Sequence, residues 1–331
     1  MKKMIEVMKK VCLAVGIVAA VASATIGCKC ERSCGDSCAA VCVKADECAA
    51  KRAPVAKHVV LVGVDGCGAR WIPWDVMPNL KALRDSGLYT TGRCHRPTAS
   101  AINWKSVFSG VSPEIHGFTK GNSSAPDIEQ PSCAVDAQGR MPCIFSEVRR
   151  QTPGAYTASL FAWDGVGNCH NTNTVDFVRW YGGKKEEYPL RDESVFAEGA
   201  RQLANSPALM LLYQGGVDSA GHTYGWGSPE FTNAYVNVDA NLGKFMTALK
   251  GTDMWKDTAV LFVADHGGLG KHHGGVEDIR VLEIPFIVSG PAAKGLRLRE
   301  PMMLEDVAPT IAALLGLDIP ATWRGRPAAC R

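Results

Sequence analysis

The sequence predicts an α/β/α sandwich with a largely parallel central sheet, and three observations carry that prediction. Valine-rich apolar runs recur along the chain. Amphipathic stretches of helical period lie between them. Three of the runs lead into an acid within a glycine-containing segment, the composition of a strand end that opens onto a loop.

The first run, 58–65, reads HVVLVGVD, a continuous apolar segment of the kind buried on both faces of a sheet. Similar runs occupy 155–163, 208–213, 258–264 and 284–289. Helical periodicity predicts helices over 77–86, 103–108, 144–150, 194–204, 231–249 and 307–315. Strands alternating with helices give parallel crossovers.

The chain ahead of this domain has a different character. Residues 1–27 carry four lysines and one acid, which accounts for the whole formal charge of +3. An apolar run over 11–24 follows the lysines and reads as an export signal. Two processing readings stay open. Ala22-Ser23-Ala24 fits a small-residue cleavage site, and Thr25-Ile26-Gly27-Cys28 resembles a lipoprotein box with a lipidated Cys28. The expected location is therefore the periplasm or outer envelope as a lipoprotein, or the medium as a secreted protein. Membrane attachment would run through Cys28.

Residues 28–56 form a Cys-rich arm in which Cys30, Cys34, Cys38 and Cys42 recur every four residues. Disulfides, an envelope tether or a soft-metal site are its readings. Of thirteen cysteines in all, Cys133 and Cys143 bracket a loop that suits a local disulfide. The catalytic domain is expected over 57–331. With the charge confined to the leader, the remainder is formally neutral, and no basic field points to nucleic acid.

Chemistry gathers where the strands end. The first run ends Gly63-Val64-Asp65-Gly66, the third leads into Asp218 and His222, and the fourth ends Asp265-His266-Gly267-Gly268 with His273 close behind. Loops at the carboxyl ends of a parallel sheet converge, so these three acids and three histidines can meet. Mixed carboxylate and imidazole donors suit zinc or another transition ion, and the number of groups suits a pair. The Gly-rich stretch 267–271 lacks the spacing of a phosphate-cradling loop. The segment 96–104 offers hydroxyls at Thr98 and Ser100, with Ser106 just beyond. As a purely structural element Ser100 would cap a helix.

The order of motifs resembles the alkaline phosphatase superfamily, and within it the type I phosphodiesterase/nucleotide pyrophosphatase group. The landmarks are GVDG at 63–66, PTASAINWKSVFSGVSPEIHG at 97–117, AWDG at 162–165, GGVDSAGHTYG at 215–225, ADHGG at 264–268 and HHGG at 272–275. The resemblance implies an alkaline phosphatase-like fold and two divalent metal ions, zinc above all. Asp65, Ser100, Asp265 and His266 would hold one ion, and Asp218, His222 and His273 the other. Ser100 stands where many relatives have threonine and would be both ligand and nucleophile, forming a phosphoseryl intermediate. Asn122 lies near the position of an asparagine that contacts a phosphate oxygen.

The expected substrate is a small-molecule phosphate ester or nucleotide, diesters before monoesters. A phosphomonoesterase is the alternative, for which Lys105, Lys120 or Lys271 could supply charge. A non-enzymatic metal-binding envelope protein is the remote one. The C-x-P-S-R motif of sulfatases is absent.

Overall fold

The computed structural model describes residues 53–118, 141–275 and 277–331. The leader, almost all of the Cys-rich arm, Lys120, Asn122 and Cys133 lie outside the described residues. An eight-stranded sheet forms the centre, made of β1 (His58–Val64), β2 (Leu88–Arg93), β3 (Thr157–Phe161), β4 (Phe177–Trp180), β5 (Leu209–Gln214), β6 (Thr258–Val263), β7 (Glu283–Ser289) and β9 (Met302–Met303). Their order across the sheet is β4-β3-β5-β1-β6-β7-β2-β9. β8 (Arg297–Leu298) and β10 (Ala329–Cys330) pair separately.

Every residue of β3, β5, β6 and β7 is buried, as is β1 beyond His58. That is why these strands are apolar at consecutive positions rather than alternate ones. β1 pairs in parallel with both β5 and β6, and β5 in parallel with β3. β7 departs from the parallel pattern, running antiparallel to both β6 and β2. Its composition matches the other buried runs, so direction was not readable from it.

Besides the two-residue β8, β9 and β10, two longer strands escaped the sequence prediction. β2 has two apolar residues followed by Thr90, Thr91, Gly92 and Arg93, and β4 is an edge strand with three exposed positions. Neither makes an apolar run.

Helices cover both faces, the longest being Pro229–Lys250. It starts where Ser228 accepts the Phe231 N–H at 3.1 Å, a side-chain cap with proline in the first turn. The helix predicted over 194–204 begins earlier, at Tyr188, because Pro189 pre-sets the first turn while the apolar stripe starts only at Val195. Among the described residues, no helix is long and apolar enough to cross a membrane. Of the two partners of the expected Cys133–Cys143 bond, only Cys143 lies among the described residues. Cys143 is a buried free thiol whose sulfur faces inward and accepts the Asn171 N–H at 3.5 Å.

Candidate metal and nucleophile site

Three neighbouring strands deliver the acids. Asp65 follows β1, Asp265 follows β6, and Asp218 stands two residues into a helix, Gly216–Tyr224, that begins directly after β5. The helices expected from the sequence do not include 215–225. As a helix it places Asp218 and His222 four residues apart on one face, with the His222 Nε2 3.6 Å from the Asp218 Oδ2. Asp192, nearly fully buried, holds the helix start by accepting the N–H groups of Gly215 and Gly216 at 3.0 and 2.9 Å.

Gly66 has φ +68°, and a Cβ there would lie 2.8 Å from the Asp218 Cα. The turn after β1 and the helix after β5 can approach this closely only because the residue is glycine.

Asp65 is held by a cage of donors that sequence reading missed. Its Oδ2 accepts the Tyr213 hydroxyl at 2.5 Å and the Trp104 indole N–H at 2.9 Å, while Oδ1 accepts the Ser100 hydroxyl at 3.2 Å. Tyr213 sits opposite Gly63 in the β1–β5 register, and a Cβ on Gly63 would meet the Trp104 ring at 2.6 Å. The glycine of the first motif thus makes room for the indole that binds its aspartate. The signal available in sequence was an aromatic residue near the end of an otherwise aliphatic strand.

Ser100 is the first residue of the helix Ser100–Ser109, and Ala99 is the N-cap. Its hydroxyl makes no cap bond. It lies between the Asp65 Oδ1 and the His266 Nε2, 3.1 Å from the latter. The other two hydroxyls of this segment point elsewhere. Thr98 donates to the His273 carbonyl, and Ser106 bonds the His116 Nε2 at 3.0 Å.

The histidines share one arrangement. Nδ1 of His266 faces the Gly267 carbonyl at 2.9 Å, Nδ1 of His222 faces the Lys271 carbonyl at 2.9 Å, and Nδ1 of His273 faces the Thr98 carbonyl. A ring nitrogen facing a carbonyl must carry the proton, which leaves each Nε2 as a lone pair turned toward the carboxylates. The His273 and His222 Nε2 atoms are 3.0 Å apart. His266 Nε2 is 3.1 Å from the Asp265 Oδ2, and the His266 and His273 rings stack at 3.8 Å.

Electrostatically the cluster calls for positive charge. Burial raises the Asp265 carboxyl well above the usual carboxylate range, and the Asp65 and Asp218 charges push it further. Burial likewise raises Asp218 well above that range, with Asp65 adding to it. Asp65 is raised by burial despite its Tyr213 and Trp104 donors. Burial pushes His266 and His273 down to about 3 and lowers His222. Acids driven toward neutrality beside unprotonated imidazoles form a set that a dication would satisfy. Buried Asp218 Oδ1 and Asp265 Oδ2 lack a hydrogen-bond partner, which fits the same conclusion. Two groups have their ligand atoms within 4.8 Å of one another: Asp218, His222 and His273, and Asp65, Asp218 and His266. The residues therefore fit a metal centre, with Asp218 reaching both groups.

A cavity of about 200 Å³ opens over the cluster, lined by Asp65, Ser100, Trp163, Tyr188, Tyr213, Gly215, Asp218 and His222. Of the lysines considered above, Lys271 donates to the Thr223 carbonyl at 2.8 Å and Lys105 lies over the Phe118 ring.

Residues 59–273 match the model of the type I phosphodiesterase / nucleotide pyrophosphatase family. This chain belongs to that family. Human ectonucleotide pyrophosphatase/phosphodiesterase family member 1 is 25% identical over 253 residues, 71% of this chain and 26% of the human protein. Venom phosphodiesterase 2 of Crotalus adamanteus is 26% identical over 215 residues, 63% of this chain and 26% of the venom protein. The chain thus spans about a quarter of the length of these phosphodiesterase-family relatives.

Among solved structures, a protein in the alkaline phosphatase superfamily from Vibrio parahaemolyticus superposes with a TM-score of 0.59 at 17% identity, covering 84% of this chain and 70% of that one. A putative sulfatase from Bacteroides thetaiotaomicron superposes with a TM-score of 0.63 at 14% identity, covering 81% and 73%. The fold is alkaline phosphatase-like.

Proposed function

We propose that this chain hydrolyses phosphoric esters, diesters or nucleotide pyrophosphates before monoesters, with Ser100 as nucleophile and two zinc ions at the six-residue cluster. The single observation that carries the reading is the Ser100 hydroxyl, set between Asp65 and His266 at the floor of an open cavity. Asp65, Asp265 and His266 would hold one ion together with Ser100, and Asp218, His222 and His273 the other. When bound, such ions supply Lewis-acid stabilisation and make a coordinated hydroxyl acidic enough to react near neutral pH.

The chain's own residues do the rest. Trp104 and Tyr213 fix the orientation of Asp65, and three backbone carbonyls fix the histidine tautomers. The helix that starts at Ser100 turns the positive end of its dipole toward an anionic ester bound at that hydroxyl. The Ser100 oxygen forms a bond to phosphorus as the leaving alcohol or phosphate departs. Water then cleaves the phosphoseryl bond and restores the hydroxyl. Trp163 and Tyr188 offer an aromatic wall to the departing group. Asn122, outside the described residues, remains the proposed contact to a phosphate oxygen.

The preference for diesters rests on the cavity lining, which contains no lysine or arginine among the described residues. A monoester dianion carries one more charge than a diester, and the described lining offers it no cation, Lys185 acting on Asp218 and His222 from outside that lining. Side-by-side rates on a diester, a nucleoside-monophosphate ester and a monoester, with zinc added and then chelated, test the proposal. Diester turnover that is lost on chelation and in Ser100→Ala supports it, and a Ser100→Ala protein with full turnover would sink the nucleophile.

The export of the chain, through cleavage after residues 22–24 or lipidation at Cys28, is part of the same proposal. The mass of the mature N-terminal peptide distinguishes the two routes.

A further inference from the structure

The segment that delivers Ser100 is tied down at two points. At its start, Asn103, fully buried one turn into the helix, accepts the His95 backbone N–H at 3.0 Å and donates to the His95 carbonyl at 3.4 Å. The His95 ring meets Glu305 at 2.6 Å. Inside the segment, two residues before Ser100, Thr98 and His273 exchange two hydrogen bonds. The Thr98 hydroxyl donates to the His273 carbonyl, and the His273 Nδ1–H donates to the Thr98 carbonyl. Both residues are buried, Thr98 at 1% exposure and His273 at 6%.

One residue pair therefore sets two things at once. It fixes the imidazole of His273, which faces Asp218 and His222, and it fixes a peptide two residues ahead of Ser100, which faces Asp65 and His266. The His273 ring cannot turn without giving up the Thr98 carbonyl, and burial makes an unpaired N–H there costly. Its stacking against His266 at 3.8 Å limits the same rotation.

We infer that Thr98 is a positioning residue that couples the two halves of the site, so that a cation on the Asp218–His222–His273 half aligns Ser100 and favours a second cation on the Ser100 half. The inference rests on the two-cation reading above. Coupling of this kind is reciprocal: each occupancy raises the other's affinity by the same factor.

The test adds zinc stepwise to the metal-stripped full-length protein in competition with a chromophoric chelator. Two ions are expected to bind with positive cooperativity, one raising the affinity of the other roughly 5–150-fold. Thr98→Val keeps the carbonyl and deletes the donor. It should bring the coupling close to unity, weaken one ion roughly 10–100-fold, and lower kcat with little change in KM. Thr98→Ser restores the donor and should restore all three.

Two zinc ions that bind independently to the unaltered protein would overturn the coupling while leaving the two-cation reading intact, and no bound zinc would remove that reading too. Thr98→Val with unchanged coupling also overturns it. Should that variant fail to fold, the unaltered protein's binding curve decides by itself.

Discussion

The two halves of the site are built differently, although one aspartate reaches into both. Asp65, Ser100, Asp265 and His266 are buried, with no more than 3% of any of them exposed. They stand at strand ends or at the start of a helix, and Asp65 is gripped by Trp104 and Tyr213. Asp218 and His222 keep 20% and 31% of their side chains in solvent and ride on a helix held at its start by Asp192. His273 comes from a loop and is steadied by Thr98. The buried half has the rigidity that aligning a nucleophile demands, and the open half has the access that water and a leaving group need.

Four measurements can break that contrast or sharpen it. The largest effect belongs to the buried half: Ser100→Ala should lower diester turnover by about three orders of magnitude or more, while zinc per chain, read by atomic absorption, falls less steeply. Equal loss of zinc and turnover would make Ser100 a ligand first and a nucleophile second.

Next, His266→Ala and His222→Ala should both weaken zinc binding, but only the buried substitution should also lower the melting temperature of the chelated protein. An Ala at position 266 leaves a cavity beneath the His273 ring, a loss on the order of 2 kcal/mol or more. Equal melting temperatures for the two variants would erase the distinction.

Third, Tyr213→Phe removes one donor from Asp65 and should cost roughly 10–100-fold in zinc affinity or kcat. A variant with wild-type values would mean that Trp104 alone suffices.

The last effect lies outside both halves and concerns stability in acid alone. Burial pushes His170 down to about 4, with its Nδ1 facing the Val166 carbonyl and its Nε2 bonded to Ser159. Its unfolded value is near 6.5, so between those two values the unfolded chain binds the extra proton. Stability contributed by neutral His170 is present above pH 6.5 and is lost as pH falls toward 4, a change on the order of 3 kcal/mol. His170→Asn should flatten that part of the acid limb in urea titrations. An unchanged slope would show that other groups dominate it.

Most of the site's members were legible because they lie in glycine-containing segments at or just beyond the ends of apolar runs, and strand ends of a parallel sheet converge. What the sequence concealed has physical reasons. The 216–224 helix reads as a loop because glycines dilute its helical signal. Trp104 and Tyr213 look like core aromatics, and only the folded arrangement of β1, β5 and the Ser100–Ser109 helix brings their polar tips to Asp65. Thr98 looked like a spare hydroxyl because its partner lies 175 residues away. The antiparallel β7 has the composition of its parallel neighbours, since burial on both faces selects residues without regard to strand direction. β2 and β4 are only partly buried, so they leave no apolar run to detect.

The strand order carries one more consequence. The acids come from β5, β1 and β6, which are adjacent in the middle of the sheet. Extra modules grafted onto the β4 or β9 margins, or into turns at the far end of the strands, need not disturb the cluster. A lineage can therefore lengthen several-fold around an unaltered centre, and the short chain described here is compatible with relatives about four times its matched length.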